Sequence, residues 1–119
     1  MAASPRVDNL LEQALAVTSL RSKAIANNIA NMSTPGYRRL AVRFEELLAE
    51  AADGGRDIDL DGIAPELFQP MNTPVDARGN DVNLDVEVGE LIKNGAMTKT
   101  YLRLLNKVYR QMELAIQGE

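Results

Sequence analysis

Three aspartates at alternate positions are the residues of this chain whose spacing is most typical of ligand chemistry. Residues 57–62 read Asp-Ile-Asp-Leu-Asp-Gly, which matches the first half of an EF-hand calcium loop. The twelfth position of such a loop needs a bidentate glutamate, but Phe68 stands there and Pro65 interrupts the loop. We therefore expect no metal site and no cofactor.

Residue types that most enzyme active sites use are missing. The chain has no histidine and no cysteine, so the commonest general base and the commonest zinc ligands are absent. It has no glycine-rich phosphate loop and no credible catalytic pair, and the glycosylation-type triplet Asn-Met-Ser at 31–33 is only a bare tripeptide match. We expect no enzymatic activity and no small-molecule substrate.

Charge is unevenly distributed along the 119 residues, whose net charge is −4. Residues 53–81 hold seven acidic and two basic residues, whereas a small basic cluster, Arg38, Arg39 and Arg43, precedes them. An acidic chain binds polyanions poorly, so we expect no nucleic-acid partner. A small DNA-binding protein that uses the basic cluster is an alternative hypothesis, and it requires salt-sensitive duplex binding.

The elements that must position these residues begin with a long helix. Ser4 and Pro5 are typical of an N-cap and a first helical position, and we predict a helix over 5–32. Its apolar residues form two adjacent seams, one with Leu11, Leu15, Ile25 and Ile29 and one with Val7, Leu10, Ala14, Val17 and Ala24. Two seams indicate more than one packing neighbour, or one neighbour and a deep core.

The C-terminal helix has the clearest periodicity. Asn83 is a suitable N-cap and Gly118 a suitable end, so we predict a helix over 83–117, about 50 Å long. Apolar residues recur along it at alternating spacings of four and three, as in a coiled coil. This predicted seam consists of Leu84, Val88, Leu91, Leu102, Leu105, Tyr109, Met112 and Ile116.

Residues 33–82 form the predicted connector between the two helices. Residues 40–52 are typical of a short helix that is entered through an extended piece, with Phe44, Leu47, Leu48 and Ala51 on one face. The rest is rich in glycine, proline and acidic residues. We expect loops there, and at most a small hairpin at 76–81.

Two long helices around a polar middle predict a mainly α fold in one domain, residues 1–119. The simplest arrangement is an antiparallel, coiled-coil-like hairpin. A lone hairpin cannot bury two seams on each helix, so apolar stripes remain exposed as interaction surfaces. We therefore expect a subunit that its neighbours complete.

One stretch at the end of the first helix carries a family resemblance. It places three asparagines inside a helix, where asparagine is unfavourable, and then breaks the helix with a Pro-Gly pair. The stretch closely resembles the N-terminal signature of bacterial flagellar rod and hook proteins. The residues that carry the resemblance are Asn27, Asn28, Ile29, Ala30, Asn31, Thr34, Pro35, Gly36, Tyr37 and Arg38.

The C-terminal half resembles the proximal members of this rod family. An adjacent rod component shares the first motif, so the assignment between the two rests on the C-terminal half. The matching residues are Gly79, Asn80, Asp81, Val82, Asn83, Leu84, Asp85, Glu87, Leu91, Asn94, Leu104, Leu105, Asn106, Tyr109, Arg110, Ala115 and Ile116. Thr98 stands where relatives usually carry an aromatic residue, and residues 40–43 replace a commoner acidic stretch.

The resemblance implies a structural subunit of the flagellar basal-body rod that self-assembles around the export channel and transmits torque. It also implies export through the flagellar type III apparatus without a cleaved signal peptide, and a location in the rod across the periplasm. Expected partners are further copies, other rod proteins, and the adaptor that joins the rod to the membrane ring and export gate. A helical adaptor or export chaperone that binds a partner helix is the alternative.

The three asparagines of the motif have a predicted role of their own. Buried amide side chains must find hydrogen-bond partners. We therefore expect Asn27, Asn28 or Asn31 to bond to backbone where the first helix meets the connector, or to an adjacent subunit.

Overall fold

The computed structural model describes residues 7–54 and 62–118 of the chain. Two long helices dominate, with a short helix and two short strands between them. In chain order the elements are α1 (Val7–Ala30), β1 (Ala41–Arg43), α2 (Glu45–Asp53), β2 (Glu66–Phe68) and α3 (Leu84–Gln117). The mainly helical fold class is confirmed.

Helices α1 and α3 pack side by side in opposite directions. Asn28 near the end of α1 bonds to Glu87 near the start of α3. Towards the other end, the hydroxyl of Tyr109 in α3 donates a hydrogen bond to the carboxylate of Glu12 in α1. The predicted antiparallel hairpin is therefore present, and it makes the molecule elongated, with extents of 66 × 30 × 16 Å.

The interior of this hairpin is small and unusually polar. Among the described residues, six hydrophobic side chains are buried: Leu11, Val17, Ala24, Ile25, Phe44 and Leu105. Seven polar or charged residues are buried beside them: Asp8, Thr18, Asn28, Asn80, Asp81, Glu87 and Asn94. Because buried polar groups are costly unless they are paired, the packing of the two helices depends on hydrogen bonds as well as on apolar contact.

The start of α3 agrees with its predicted cap. The side-chain oxygen of Asn83 accepts hydrogen bonds from the backbone N–H groups of Asp85 at 3.0 Å and Val86 at 3.3 Å. At the other end the N–H of Gly118 donates to the carbonyl of Leu114. The predicted start of the first helix at Ser4 and Pro5 lies outside the described residues.

The connector is only partly as predicted. Strands β1 and β2 pair antiparallel, with Ala41 opposite Phe68 and Arg43 opposite Glu66, so the short helix begins at Glu45 rather than at residue 40. The predicted extended entry into that helix is confirmed. The run 57–61, the core of the calcium-like pattern, lies outside the described residues, and within the described ones no group of three candidate ligands approaches metal-binding geometry.

Residues 76–81, the predicted site of a small hairpin, form a tight turn without flanking strands. A carboxylate oxygen of Asp76 accepts from the N–H groups of Arg78 at 2.8 Å and Asn80 at 3.1 Å, which closes the turn locally. The N–H of Asp76 also donates to the carbonyl of Asn80 at 2.9 Å. The strand pairing that does form joins β1 to β2.

No helix in the described ranges is both long enough and apolar enough to cross a bilayer.

We expect Asn83→Ala to lower the free energy of unfolding by about 1 kcal/mol, because it removes the side-chain acceptor for two N–H groups at the start of α3. Asn83→Asp is the matched control, since it keeps an acceptor and should stay close to the parent. Urea unfolding followed by circular dichroism measures both. Equal stability of the alanine and aspartate variants would show that this cap does not contribute.

Candidate functional site

The motif stretch lies where α1 ends and the connector begins. After Ala30 the backbone passes through consecutive turns, in which the N–H of Thr34 donates to the carbonyl of Asn31 and that of Tyr37 to the carbonyl of Thr34. Gly36 has a φ of 75°, a conformation that glycine adopts without strain. Helix α1 thus ends at Ala30, two residues before the predicted end at residue 32, and the Pro-Gly pair lies in the turns that follow it.

Asn28 is the central residue of this region, and it is fully buried. Its amide oxygen accepts from the N–H of Leu40 at 2.8 Å and from the hydroxyl of Tyr37 at 2.9 Å. Its amide nitrogen donates to the carbonyl of Leu40 at 2.9 Å and to Glu87 Oε2 at 3.1 Å. One side chain therefore joins α1, the connector and α3, as we expected for at least one of the three asparagines.

The other two asparagines make local bonds. Asn27 donates to the Tyr37 hydroxyl at 2.8 Å. Asn31 donates to the carbonyl of Asn27 at 2.9 Å, and its amide oxygen accepts from the hydroxyl of Thr34 at 3.1 Å. These bonds fix the last turn of α1 and the direction in which the chain leaves it.

Two buried carboxylates neutralise the arginines that follow. Arg39 Nε donates to Glu87 Oε1 at 2.8 Å, and the Arg39 backbone N–H donates to Asp81 Oδ1 at 2.6 Å. Arg38 Nε donates to Asp81 Oδ2 at 3.1 Å. Glu87 and Asp81 are almost fully buried, and a carboxylate in such a place is tolerated only when it is paired.

The third arginine of the basic cluster lies on the two-stranded sheet. The Arg43 guanidinium stacks on the Phe68 ring, 4.3 Å from its centroid, and approaches Glu46 at 3.6 Å and Glu66 at 3.8 Å. All three arginines of the cluster thus face carboxylates of the same chain. This arrangement speaks against the DNA-binding alternative, which needs those charges available to phosphates.

The turn at 76–81 docks onto the turn that follows α1. Asn80 is buried and donates to the carbonyls of Asn31 and Thr34, both at 2.9 Å. The N–H of Gly36 donates to the carbonyl of Arg78 at 2.8 Å. The two turns touch at Gly79, where an added Cβ would lie at an ordinary contact distance of 3.6 Å from Gly36 Cα, and the φ of 78° favours glycine there. We call the two docked turns, with Asn28, Arg38, Arg39 and Glu87, the junction.

Asn80, Asp81, Glu87 and Asn94 are among the residues of the C-terminal family resemblance, but the sequence did not predict that these four polar side chains are buried. A signal for two of them exists, since Glu87 and Asn94 are seven residues apart, the repeat of a helix-packing position. The sequence prediction places only apolar residues on the packing face. Asn94 donates to the Thr18 carbonyl at 2.7 Å and to Ser22 Oγ at 2.9 Å.

The predicted seam of α3 is only partly used within the chain. Leu105 is buried and Met112 is half-buried. The other six are 40–73% exposed: Leu84, Val88, Leu91, Leu102, Tyr109 and Ile116. The residues of α3 that are buried against α1 are Glu87, Asn94 and Leu105. Glu87 immediately precedes the seam residue Val88, so the packing face of α3 is rotated by about one residue from the predicted seam. Most of the predicted seam is therefore not covered by other parts of this chain.

A cleft of about 420 Å³ opens beside the junction between α1, β1 and α3. Its wall includes Asn94, whose amide oxygen is buried and has no hydrogen-bond partner among the described residues. At its rim Arg21 pairs with Glu45 through both guanidinium nitrogens. This hydrogen-bonded pairing lowers the pKa of Glu45 and raises that of Arg21.

The chain has the architecture of a helical structural subunit, and comparison with known proteins agrees. Residues 9–38, which cover most of α1 and the turns after it, match the family model described as flagella basal body rod protein. This part of the chain is therefore similar to flagellar basal-body rod proteins.

Relatives that align along nearly the whole chain identify the family more closely. Flagellar basal body rod protein FlgB of Cereibacter sphaeroides is 32% identical over 90% of this chain and 91% of its own length. The proteins of the same name from Aeromonas hydrophila and Bacillus subtilis are 29% and 26% identical, with about nine-tenths of each chain covered. The chain belongs to the family of flagellar basal body rod protein FlgB and is a structural subunit of the rod, as its motif resemblance indicated.

We expect Glu87→Ala to lower the free energy of unfolding by about 3 kcal/mol, because it leaves Arg39 and Asn28 without their buried partner. Glu66→Ala is the matched control: it removes a carboxylate from an exposed pair with Arg43, and exposed pairs contribute at most about 1 kcal/mol. Denaturant unfolding measures both variants. Similar losses in the two variants would contradict a special role for the buried pair.

Tyr37 gives the junction a dependence on pH. Partial burial raises the pKa of its hydroxyl, so the folded chain holds the phenolic proton more tightly than the unfolded chain. This contribution to stability is complete below the unfolded pKa of about 10 and is lost as the pH rises through the folded-state pKa. We expect Tyr37→Phe to cost about 1 kcal/mol at pH 8, and less once the phenol has ionised. Urea unfolding of both chains across this pH range measures the difference, and a constant difference would count against the hydroxyl bond.

Proposed function

We propose that the chain is a proximal-rod subunit that packs with copies of itself and with other rod proteins around the export channel. The observation that carries this proposal is the row of exposed apolar side chains on α3. Leu91, Leu102 and Tyr109 are each at least 40% exposed although they follow a coiled-coil repeat. Apolar side chains in such a pattern are typical of an interface that a neighbouring helix covers.

The proposed assembly surface also includes the motif residues and the predicted seam. Of the motif, Asn27, Pro35 and Gly36 are exposed and are available for contact with a neighbour. Asn28 instead acts within the chain, where it holds the connector against both long helices. We propose that these two roles, internal bracing and external contact, explain why one short motif combines buried and exposed residues.

Torque transmission is the proposed mechanical role of the subunit. A subunit that carries torque must resist bending between its helices and its connector. The buried pairs of Arg39 with Glu87 and of Arg38 with Asp81 cross-link these parts, and both carboxylates are inaccessible to solvent. This bracing supports a single domain with segments 5–32, 33–82 and 83–117 that moves as one unit.

We further propose that the chain is exported through the flagellar type III apparatus without a cleaved signal peptide, and lies in the rod across the periplasm. Its additional proposed partners are the adaptor of the membrane ring and the export gate. The small buried apolar core supports this route. A domain that buries few apolar side chains is marginally stable, and it unfolds at low cost before it passes a narrow channel.

The proposal is tested by replacing the chain in cells that lack it. Leu91→Glu with Leu102→Glu places two charges on the exposed seam, where they disrupt contact between subunits but bury no charge within the chain. We expect the purified variant to keep its helix content, and cells that carry it to lose motility and complete basal bodies. Circular dichroism, swimming assays and electron microscopy of basal bodies measure these effects.

The matched control is Lys93→Glu, an exposed substitution on the same helix outside the seam. It should support normal motility. Motile cells with the double seam variant would contradict the assembly role of the seam. Intact rods in cells without the chain, together with a discrete complex between the chain and one partner helix, would favour the adaptor or chaperone alternative.

A further inference from the structure

The second half of α3 carries a row of positive charges on its exposed side. We call this row the basic stripe; its members are Lys99, Arg103, Lys107 and Arg110. They recur at three- and four-residue spacing, so they share one face of the helix. None of the four takes part in an ion pair with any described residue.

The helix dipole does not account for this stripe. Cations are favoured by the dipole only within the last turn of a helix, but α3 continues to Gln117 and Lys99 lies five turns earlier by about 3.6 residues per turn. Residues 99–110 contain no aspartate or glutamate, and Glu113, three residues after Arg110, is the only acidic residue of α3 beyond them, without an ion pair to the stripe among the described residues. The stripe is thus a concentrated positive surface that the helix does not balance.

A complementary surface lies on α2. Glu46, Glu50 and Asp53 are exposed and recur at spacings of four and three, so they share one face, which we call the acidic face. Glu46 also approaches Arg43 of its own chain at 3.6 Å, but its side chain stays 78% exposed, and such exposed pairs contribute little. The apolar side chains of α2, among them Leu47 and Leu48, are half-buried on its other side. The acidic face is therefore the side of this short helix that lies opposite its half-buried apolar residues.

The two surfaces match in length and charge. At 1.5 Å per residue, Glu46 to Asp53 spans about 10 Å and Lys99 to Arg110 about 16 Å, so the acidic face fits within the basic stripe. Three carboxylates would then face four cations. The exposed seam residues Leu102 and Tyr109 belong to the same half of α3, and they supply apolar contact beside the charges.

We propose that the basic stripe of one copy binds the acidic face of α2 in a second copy. Each copy then presents one complementary surface to each of two different neighbours. Such a heterologous contact repeats from copy to copy without closing on itself unless the rotation happens to close a ring. Paired surface charges select and orient partners more than they increase affinity, and salt weakens them. The inference rests on the proposed self-assembly and identifies which surfaces meet.

A charge-exchange experiment tests it. One variant reverses the stripe with Lys99→Glu, Arg103→Glu and Lys107→Glu, and the other reverses the acidic face with Glu46→Lys, Glu50→Lys and Asp53→Lys. Produced alone in cells that lack the chain, each should reduce the number of complete basal bodies by about tenfold or more, because like charges then face each other. Produced together they should restore assembly, because the reversed stripe meets the reversed face.

The controls separate failure of this inference from failure of the proposed function. Lys23→Glu with Lys93→Glu reverses two exposed lysines outside both surfaces and should assemble normally. If either reversed variant alone builds normal basal bodies, or if joint production does not restore them, the inference is overturned while rescue by the wild-type chain still supports the rod function. Normal rods in cells without any copy would instead overturn the proposed function.

Photo-crosslinking identifies the neighbour directly. A benzophenone amino acid in place of Arg103, in otherwise wild-type basal bodies, should crosslink to the 45–53 segment of a second copy, which mass spectrometry of the crosslinked peptides would show. A crosslink to a different rod protein, or no crosslink at this position while one at Leu102 succeeds, would overturn the assignment of the second copy as the partner.

Discussion

The buried contact among Asn28, Glu87 and Arg39 is the constraint on which the rest of the structure depends. A carboxylate inside a protein is stable only when donors surround it. Glu87 receives one from α1 through Asn28 and one from the connector through Arg39. The start of α3 can therefore occupy only one position relative to the end of α1 and to the connector. The direction of each long helix follows from that position.

This polar bracing explains why the apolar residues of α3 are divided between two faces. The face against α1 is partly occupied by Glu87 and Asn94, so fewer hydrophobic side chains can be buried there. The apolar side chains of the neighbouring stripe stay at the surface, where they are useful only to another molecule. The small core and the exposed apolar surface thus have the same cause, namely that α3 packs on α1 through a partly polar face. Both properties suit a subunit of an assembly.

The connector contributes rigidity more than secondary structure. Its two strands are three residues each, yet its turn at 76–81 is tied to the turn that follows α1 by backbone and amide bonds, above all through Asn80. Because these bonds are buried, breaking them leaves polar groups without hydrogen-bond partners inside the protein, which costs folding free energy. A short segment with little regular structure can in this way hold two helices at a fixed spacing.

The sequence by itself determined the two long helices, the cap at Asn83, the turn at Pro35-Gly36, the hairpin arrangement and the family. These features depend on local periodicity, on residues with restricted backbone conformations and on a contiguous motif. The tertiary structure alone decided which face of α3 meets α1 and where the strands pair. Apolar periodicity predicts that the seam beginning at Leu84 packs on α1. In the structure Glu87 and Asn94 lie on the packing face instead, because they have hydrogen-bond partners on α1 and the connector. Asn28 and Glu87 are 59 residues apart in the sequence, and no local sequence pattern predicts a contact at that separation.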